Sequence, residues 1–354
     1  MIAGKKITSV FGFAIIEDFT NTCSCLEEET CTYINTIANI VHMGAHNFHG
    51  APNKNIGCAF LMVWKICDGV LPGMRDLRDD KPAPITNEFL EWRARQRQSI
   101  GWMSKGAGTE SRLVPPMEMV ESAVTSFLKV EVDMHHANNG GKLERFNKNP
   151  AMVEEFGNHF KVHMGLGLHI GWAIEGTIGS RYKIDASYLS PNVNVAARLE
   201  AATHIFGCPL LLSGFLVDEL SAPAKLYHRM VDVVSVKGSS VPLQIWTFDI
   251  TNFPETILVP RFDASGCQIP ISFEHDKDYN MLQEGLDPLF TNFFNDAVQH
   301  YVGGNWKEAQ DKLKKALQIN PQDGPSKTLM STLAGNKFVA PAGWEGFRAL
   351  TSKT

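Results

Sequence analysis

The stretch from Phe160 to Gly179 constrains the fold more than any other part of the sequence. Phe160-Lys-Val-His-Met-Gly-Leu-Gly-Leu-His169 and Gly171-Trp-Ala-Ile-Glu-Gly-Thr-Ile-Gly179 read as two β-strands, apolar in texture yet punctuated by glycine. A glycine within a strand has no side chain to pack, so it marks a turn or a close approach of another backbone. His169, Gly171, Gly176 and Gly179 are accordingly read as structural. A helix is predicted from about Pro191 to Ile205, ended by Gly207 in the position of a left-handed cap.

The rest of the chain supplies partners for these strands. Ile7 to Ile16 is β-branched and aromatic and short enough for a buried strand. Ser24 with Glu27 makes a capping box, and Ile34, Ile37 and Val41 recur at helical spacing behind it. Ile56 to Trp64 predicts a hairpin or strand pair around Gly57. Between Asp68 and about Arg112 prolines, glycine and mixed charges mark a surface insertion, in which Trp92-Arg-Ala-Arg-Gln-Arg97 reads as a solvated helix face. Met117, Val120, Val124 and Phe127 then describe an amphipathic helix that ends at Asn138 to Gly141. Ser213 caps a short helix through Leu220, and Val231 to Val236 with Leu243 to Ile250 form a closing strand pair. This order predicts an α+β fold with helices packed on one side of a mixed sheet.

Beyond Thr251 a proline-containing linker takes over, and from about Asn292 the pattern turns helical. Ala297, Gly304, Trp306, Ala309, Ala316 and Pro321 match the spacing of a single tetratricopeptide-type helical hairpin. The expected domains are residues 1–250, a linker at 251–290, and a helical hairpin with tail at 291–354. One repeat cannot bury its own face, so the hairpin is expected to dock on the main domain or on a partner.

Composition narrows the function classes. Lys and Arg number 33 against 38 Asp and Glu, a net charge of −5 over 354 residues, which argues against a general nucleic-acid binder. Seven cysteines, an odd number without paired spacing, imply free thiols in a reducing compartment; Cys23, Cys25 and Cys31 lack the second pair that a zinc site needs. No apolar run approaches the ~18–20 residues of a membrane span, and Met-Ile-Ala-Gly-Lys-Lys lacks the apolar stretch of a secretory signal. A cytoplasmic setting is expected. His42, His46 and His49 have helix-like spacing but no visible partner carboxylate, and read as a polar helix face.

Three motifs in order carry a family resemblance: Gly165-Leu-Gly-Leu-His-Ile-Gly, Glu175-Gly-Thr-Ile-Gly-Ser, and Pro191-Asn-Val-Asn-Val-Ala-Ala-Arg-Leu-Glu200. Together they resemble the catalytic domain of class III nucleotidyl cyclases over about residues 7–250, and Lys-Ile-Asp-Ala-Ser-Tyr-Leu-Ser-Pro resembles protist-type members. The resemblance implies a ferredoxin-like cyclase domain. It also implies a reaction in which the ribose 3′-hydroxyl of ATP or GTP attacks its own α-phosphorus and pyrophosphate leaves. In this family two metal ions lower the hydroxyl pKa and clamp phosphate oxygens. Two aspartates hold them, in the patterns Phe-x-Asp-Ile-x-x-Phe and Ile-Gly-Asp-Ala.

Here those patterns read Phe13-Ala-Ile-Ile-Glu-Asp-Phe19 and Ile56-Gly-Cys-Ala59, so Ile15 and Cys58 stand where the carboxylates belong. Isoleucine coordinates nothing, and a thiolate is a poor magnesium ligand. Strand alternation points the neighbouring Glu17 and Asp18 elsewhere. The other half of the family's site is retained. Asn194 and Arg198 match its Asn-x-x-x-Arg motif, one helical turn apart on one face. By resemblance Asn194 orients the ribose and Arg198 stabilises the pentacoordinate transition state. Lys237 matches the lysine that grips the triphosphate, and Lys54 the one that contacts the purine. Ser187 falls at the base-reading position, where a hydroxyl that can donate or accept leaves adenine or guanine open, with Asp185 nearby on a strand.

Cyclase sites of this family form between two subunits. The resemblance therefore implies a complementary half that meets a cyclase-domain partner subunit, with magnesium or manganese present only if that partner supplies its ligands. The other reading is a catalytically dead pseudocyclase serving as an assembly module.

Overall fold

The computed structural model describes residues 4–66, 114–235, 242–264, 266 and 268–350. The expected insertion at 68–112, the Trp92–Arg97 helix face and Lys237 lie outside the described residues. The chain opens with β1 (Lys5–Ile16), α1 (Phe19–Leu26), a 3-10 turn and α2 (Thr30–Asn47), then the hairpin β2 (Ala51–Ile56) and β3 (Ala59–Ile66). Next come α3 (Pro116–Asn138), α4 (Glu144–Asn147), α5 (Pro150–Phe156), β4 (Met164–Gly179), β5 (Ile184–Leu189), α6 (Pro191–Phe206) and β6 (Leu210–Ser213). Short helices α7 (Gly214–Asp218) and α8 (Ala222–Leu226) lead to β7 (His228–Ser235) and β8 (Leu243–Phe248). A small ribbon, β9 (Arg261–Phe262) with β10 (Gln268–Ile269), precedes α9 (Asp278–Leu282), α10 (Pro288–Val302), α11 (Trp306–Ile319), α12 (Gly324–Gly335) and β11 (Arg348–Ala349).

Among the described residues nine strands form one mixed sheet in the order β11-β7-β8-β6-β4-β1-β3-β2, with β5 paired to the second half of β4. The β4–β6 and β7–β11 pairs are parallel; the rest are antiparallel. The fold is α+β, a mixed sheet clad in helices. Strand alternation splits β1 between two layers. Val10, Ala14 and Ile16 enter the main core with Tyr33, Ile37 and Val41 of α2 and Val124, Phe127 and Leu128 of α3. Phe11 faces the other way, with Ala173 and with Ala196 of α6. Helices therefore cover both faces, which corrects the one-sided packing expected from element order. Order along the chain carries no sign for which face a helix takes; the odd-numbered glycines of β4 decide it for α6. Trp64, fully buried, packs edge-on to Phe127 at 5.7 Å and donates through Nε1 to the Phe48 carbonyl at 2.9 Å. Full burial of such a side chain contributes roughly 1.5–3 kcal/mol.

Two further expectations are corrected. Residues 164–179 are one continuous strand instead of two, because its glycines admit a helix rather than break the ladder. Ser24 does not cap a helix; it lies inside α1 with its hydroxyl donating to the Thr20 carbonyl, and the Glu27–Glu29 turn joins α1 to α2. At the C-terminus a third helix joins the pair α10–α11, in a core where Phe294, Tyr301, Trp306 and Leu313 meet Leu329 and Leu333 of α12. The predicted caps are present at α6 and α7: Gly207 is left-handed with φ 62°, and the Ser213 hydroxyl accepts from the Leu216 amide at 3.2 Å.

Candidate functional site

The end of β1 and the β2–β3 turn bring Ile15 and Cys58 together. Ile15 pairs with Ala59 on β3 and Gly165 on β4, and the Ile16 amide donates to the Cys58 carbonyl at 3.1 Å. Gly57, with φ 60°, makes the tight turn that sets Cys58 there. Ile15 offers hydrocarbon. Cys58 is half-buried, and burial, assisted by the Glu200 carboxylate, pushes its thiol up, so the sulfur stays protonated at neutral pH.

These residues do not fit a hard divalent cation, which needs carboxylate or carbonyl oxygens. Glu17 is half-buried and its Oε1 lies 3.8 Å from His204 Nδ1 on α6. Asp18 is exposed in a left-handed conformation at the head of α1. Among the described residues no group of three or more His, Cys, Asp or Glu side chains is arranged to hold a metal ion, and Cys23, Cys25, Cys31, Cys58 and Cys208 are free thiols.

One carboxyl was missed in the sequence. Glu200 on α6 is only 3% exposed, and a Cβ added at Gly165 would run into its side chain and into the Thr203 hydroxyl. Glu200 thus occupies the space beside the strand position opposite Ile15. Burial first, and Glu17 second, push its carboxyl up to about 7. The signal was available: Ala196, Leu199 and Thr203 share the buried stripe of α6, and a glutamate among them is a charge placed toward the core.

The nucleotide-side candidates stand on β2, β5 and α6. Lys54 Nζ donates to Ser187 Oγ at 3.1 Å, joining two residues 133 apart in sequence, both half-buried. α6 starts with the Ser190 hydroxyl accepting from the Asn192 amide at 3.0 Å and with Pro191 in its first turn. One turn in, Asn194 is exposed; one turn further, Arg198 is half-buried. Asp185, on β5 beside Ser187, is paired instead with Lys183 at 3.3 Å. His169 is buried and bonded to Asn192 at 3.2 Å, and burial pushes it down to about 4. A Cβ at Gly171 would strike that same Asn192. His42 bonds Asn55 at 3.1 Å, while His49 lies past the end of α2 with φ 65°.

No family model matches the chain. The chain is 32% identical over 105 residues to an adenylate cyclase of Anabaena cylindrica, covering 29% of this chain and 21% of that protein. It is 30% identical over 107 residues to adenylate cyclase 1 of Rhizobium meliloti (strain 1021), covering 30% of this chain and 15% of that protein. The chain thus matches about a fifth or less of the length of these curated relatives. Among solved structures, a bacterial light-regulated adenylyl cyclase aligns with a TM-score of 0.46 at 18% identity, over 70% of this chain and 54% of that one. The adenylyl cyclase CyaB from P. aeruginosa aligns at 0.45 and 16%, over 71% and 98%. About 105 residues of this chain are thus similar in sequence to adenylate cyclases.

Proposed function

We propose that the chain is a nucleotidyl cyclase-type subunit acting as the complementary half of a shared site. It contributes the nucleotide-holding and transition-state groups, and a cyclase-domain partner contributes both metal-binding carboxylates. The observation that carries this reading is the donor set at the β1 end: a hydrocarbon at Ile15 and a protonated thiol at Cys58, where the resemblance calls for two aspartates. Against that loss stand Lys54 on Ser187, and Asn194 and Arg198 on successive turns of α6. In this reading Ser187 and Lys54 meet the purine of ATP or GTP, Asn194 orients the ribose, Arg198 donates to the phosphoryl oxygens, and Lys237 meets the triphosphate. Magnesium or manganese arrives with the partner. Residues 1–250 act as the cyclase domain and 291–354 as a tetratricopeptide-like helical module, in an intracellular setting; residues 251–290, expected as a linker, send Leu258, Phe273 and Tyr279 into the same core as Val10 and Val124.

Restoring the ligands tests the reading directly. Ile15→Asp combined with Cys58→Asp is expected to tighten manganese–ATP binding about tenfold or more, one charge-assisted contact being worth ~1.4 kcal/mol or above. Equilibrium dialysis of the wild-type and doubly substituted chains measures it, and equal affinities would refute the proposed ligand positions. A second reading, the catalytically dead assembly module, draws on exposed apolar side chains along the β4–β5 arm, with Tyr182 at 89% and Ile184 at 65% exposure. It predicts no nucleotide binding by either chain.

A further inference from the structure

A cavity of about 470 Å³ opens at the end of the sheet where β4 and β6 begin, away from Lys54, Ser187, Asn194 and Arg198. Its walls come from both helical layers: Val130, Glu131 and Met134 on α3, and Thr203 at the end of α6. Its size falls within the range of small-molecule sites, roughly 300–1,000 Å³. Three features of this wall share one electrostatic sense. The Oε2 atom of Glu131 is buried without a hydrogen-bond partner among the described residues. Two long helices, α3 and α6, point their C-terminal ends toward the cavity, and the residues around those ends line it. Helix C-termini favour positive charge. The His135 ring stacks flat on Phe253, with centroids 3.9 Å apart and planes 8° from parallel, and both rings line the cavity. The basic groups sit at the exposed rim: Lys161, which donates to Asn139 Oδ1 at 2.6 Å, His163, and His204 beside Glu17.

We propose that this cavity binds a small organic cation with a flat ring, its amidinium or ammonium group paired with the Glu131 carboxylate and its ring against His135 and Phe253. A buried carboxyl oxygen without a hydrogen-bond partner costs free energy that such a cation offsets, and a planar amidinium donates to both carboxylate oxygens at once. The charges around Glu131 set a proton balance. Burial first, and Asp249 second, disfavour the carboxylate and push it up to about 8, so in the free protein Glu131 is mainly protonated at pH 7. Binding a cation draws it into the ionised form and releases its proton to solvent.

Benzamidine and its neutral counterpart benzamide serve as probes on the full-length chain. Isothermal titration at pH 7 in phosphate and in Tris buffer is expected to show benzamidine binding with release of close to one proton. Glu131→Gln, which keeps the shape and removes a buried acid, should fold and weaken benzamidine binding about 10- to 100-fold. Phe253→Leu should weaken it about 2- to 5-fold. Benzamide should bind far less well to wild type and no worse to Glu131→Gln. Three results would overturn the proposal: no heat with benzamidine up to about 10 mM, equal binding of the two probes, or unchanged benzamidine affinity in Glu131→Gln.

Discussion

Glu200 sits on the buried face of α6 beside Gly165, and burial is the reason its carboxyl keeps its proton to near neutral pH. An acid whose folded pKa lies above its unfolded value stabilises the fold below the unfolded pKa, and that contribution disappears as pH rises through the folded one. Stability is therefore expected to fall between about pH 4.5 and 7 on account of Glu200. Glu200→Gln should match wild type at pH 4.5 and exceed it by about 1–3 kcal/mol at pH 8, read from urea unfolding at both pH values. A variant that tracks wild type at every pH would remove Glu200 from this role. The resemblance marks Ile15 and Cys58 because its motif frame fixes their positions, and strand pairing sets them side by side at the end of β1. Glu200 carries a local signal, a charge on the buried stripe of α6, but its place beside Gly165 and near Ile15 arises only through strand pairing.

Element by element, α6 is held by what β4 lacks. A Cβ at Gly167 would strike the Ala196 carbonyl and the Glu200 amide, both backbone atoms of α6 that cannot swing aside. Gly167→Ala should destabilise the chain by about 1–3 kcal/mol, the usual cost of overpacking, whereas Gly335→Ala, with open space around it in the last turn of α12, should be neutral or slightly stabilising. Thermal unfolding of the two variants compares them directly. The glycines were recognised in the sequence as points of close approach, and the α6 caps at Ser190 and Gly207 are local signals that local reading can use. The unbroken β4 and the two-faced sheet are not local. A glycine that admits a helix and a glycine that ends a strand look alike until the helix is in place.

A buried arginine lies where the helical segment meets the sheet. Arg229 on β7 is 2% exposed, pairs with Asp249 at 2.7 Å and Asp323 at 2.8 Å, and lies 4.2 Å from the Phe294 ring of α10. Arg348 on β11 bonds Asp232 at 2.7 Å, and the Thr328 hydroxyl of α12 donates to the Ile205 carbonyl of α6 at 2.7 Å. Arg229→Ala leaves two carboxylates without their partner and should cost about 3–5 kcal/mol, seen as a lower denaturation midpoint for the whole chain. A separate early transition of the helices alone would contradict this coupling. The helical periodicity after Asn292 is plain in the sequence, but partners such as Arg229 on β7 and Ile205 on α6 lie 94 and 123 residues upstream of Asp323 and Thr328 and leave no local trace. The same scale holds the central claim, that this chain completes a site only with a second subunit. Cyclic nucleotide formed from ATP or GTP with manganese is to be measured for the purified chain alone and mixed with a cyclase domain that carries both metal-binding aspartates but lacks its own transition-state arginine. The account predicts product only in the mixture and none when the chain carries Arg198→Ala; steady turnover by the purified chain alone would contradict it.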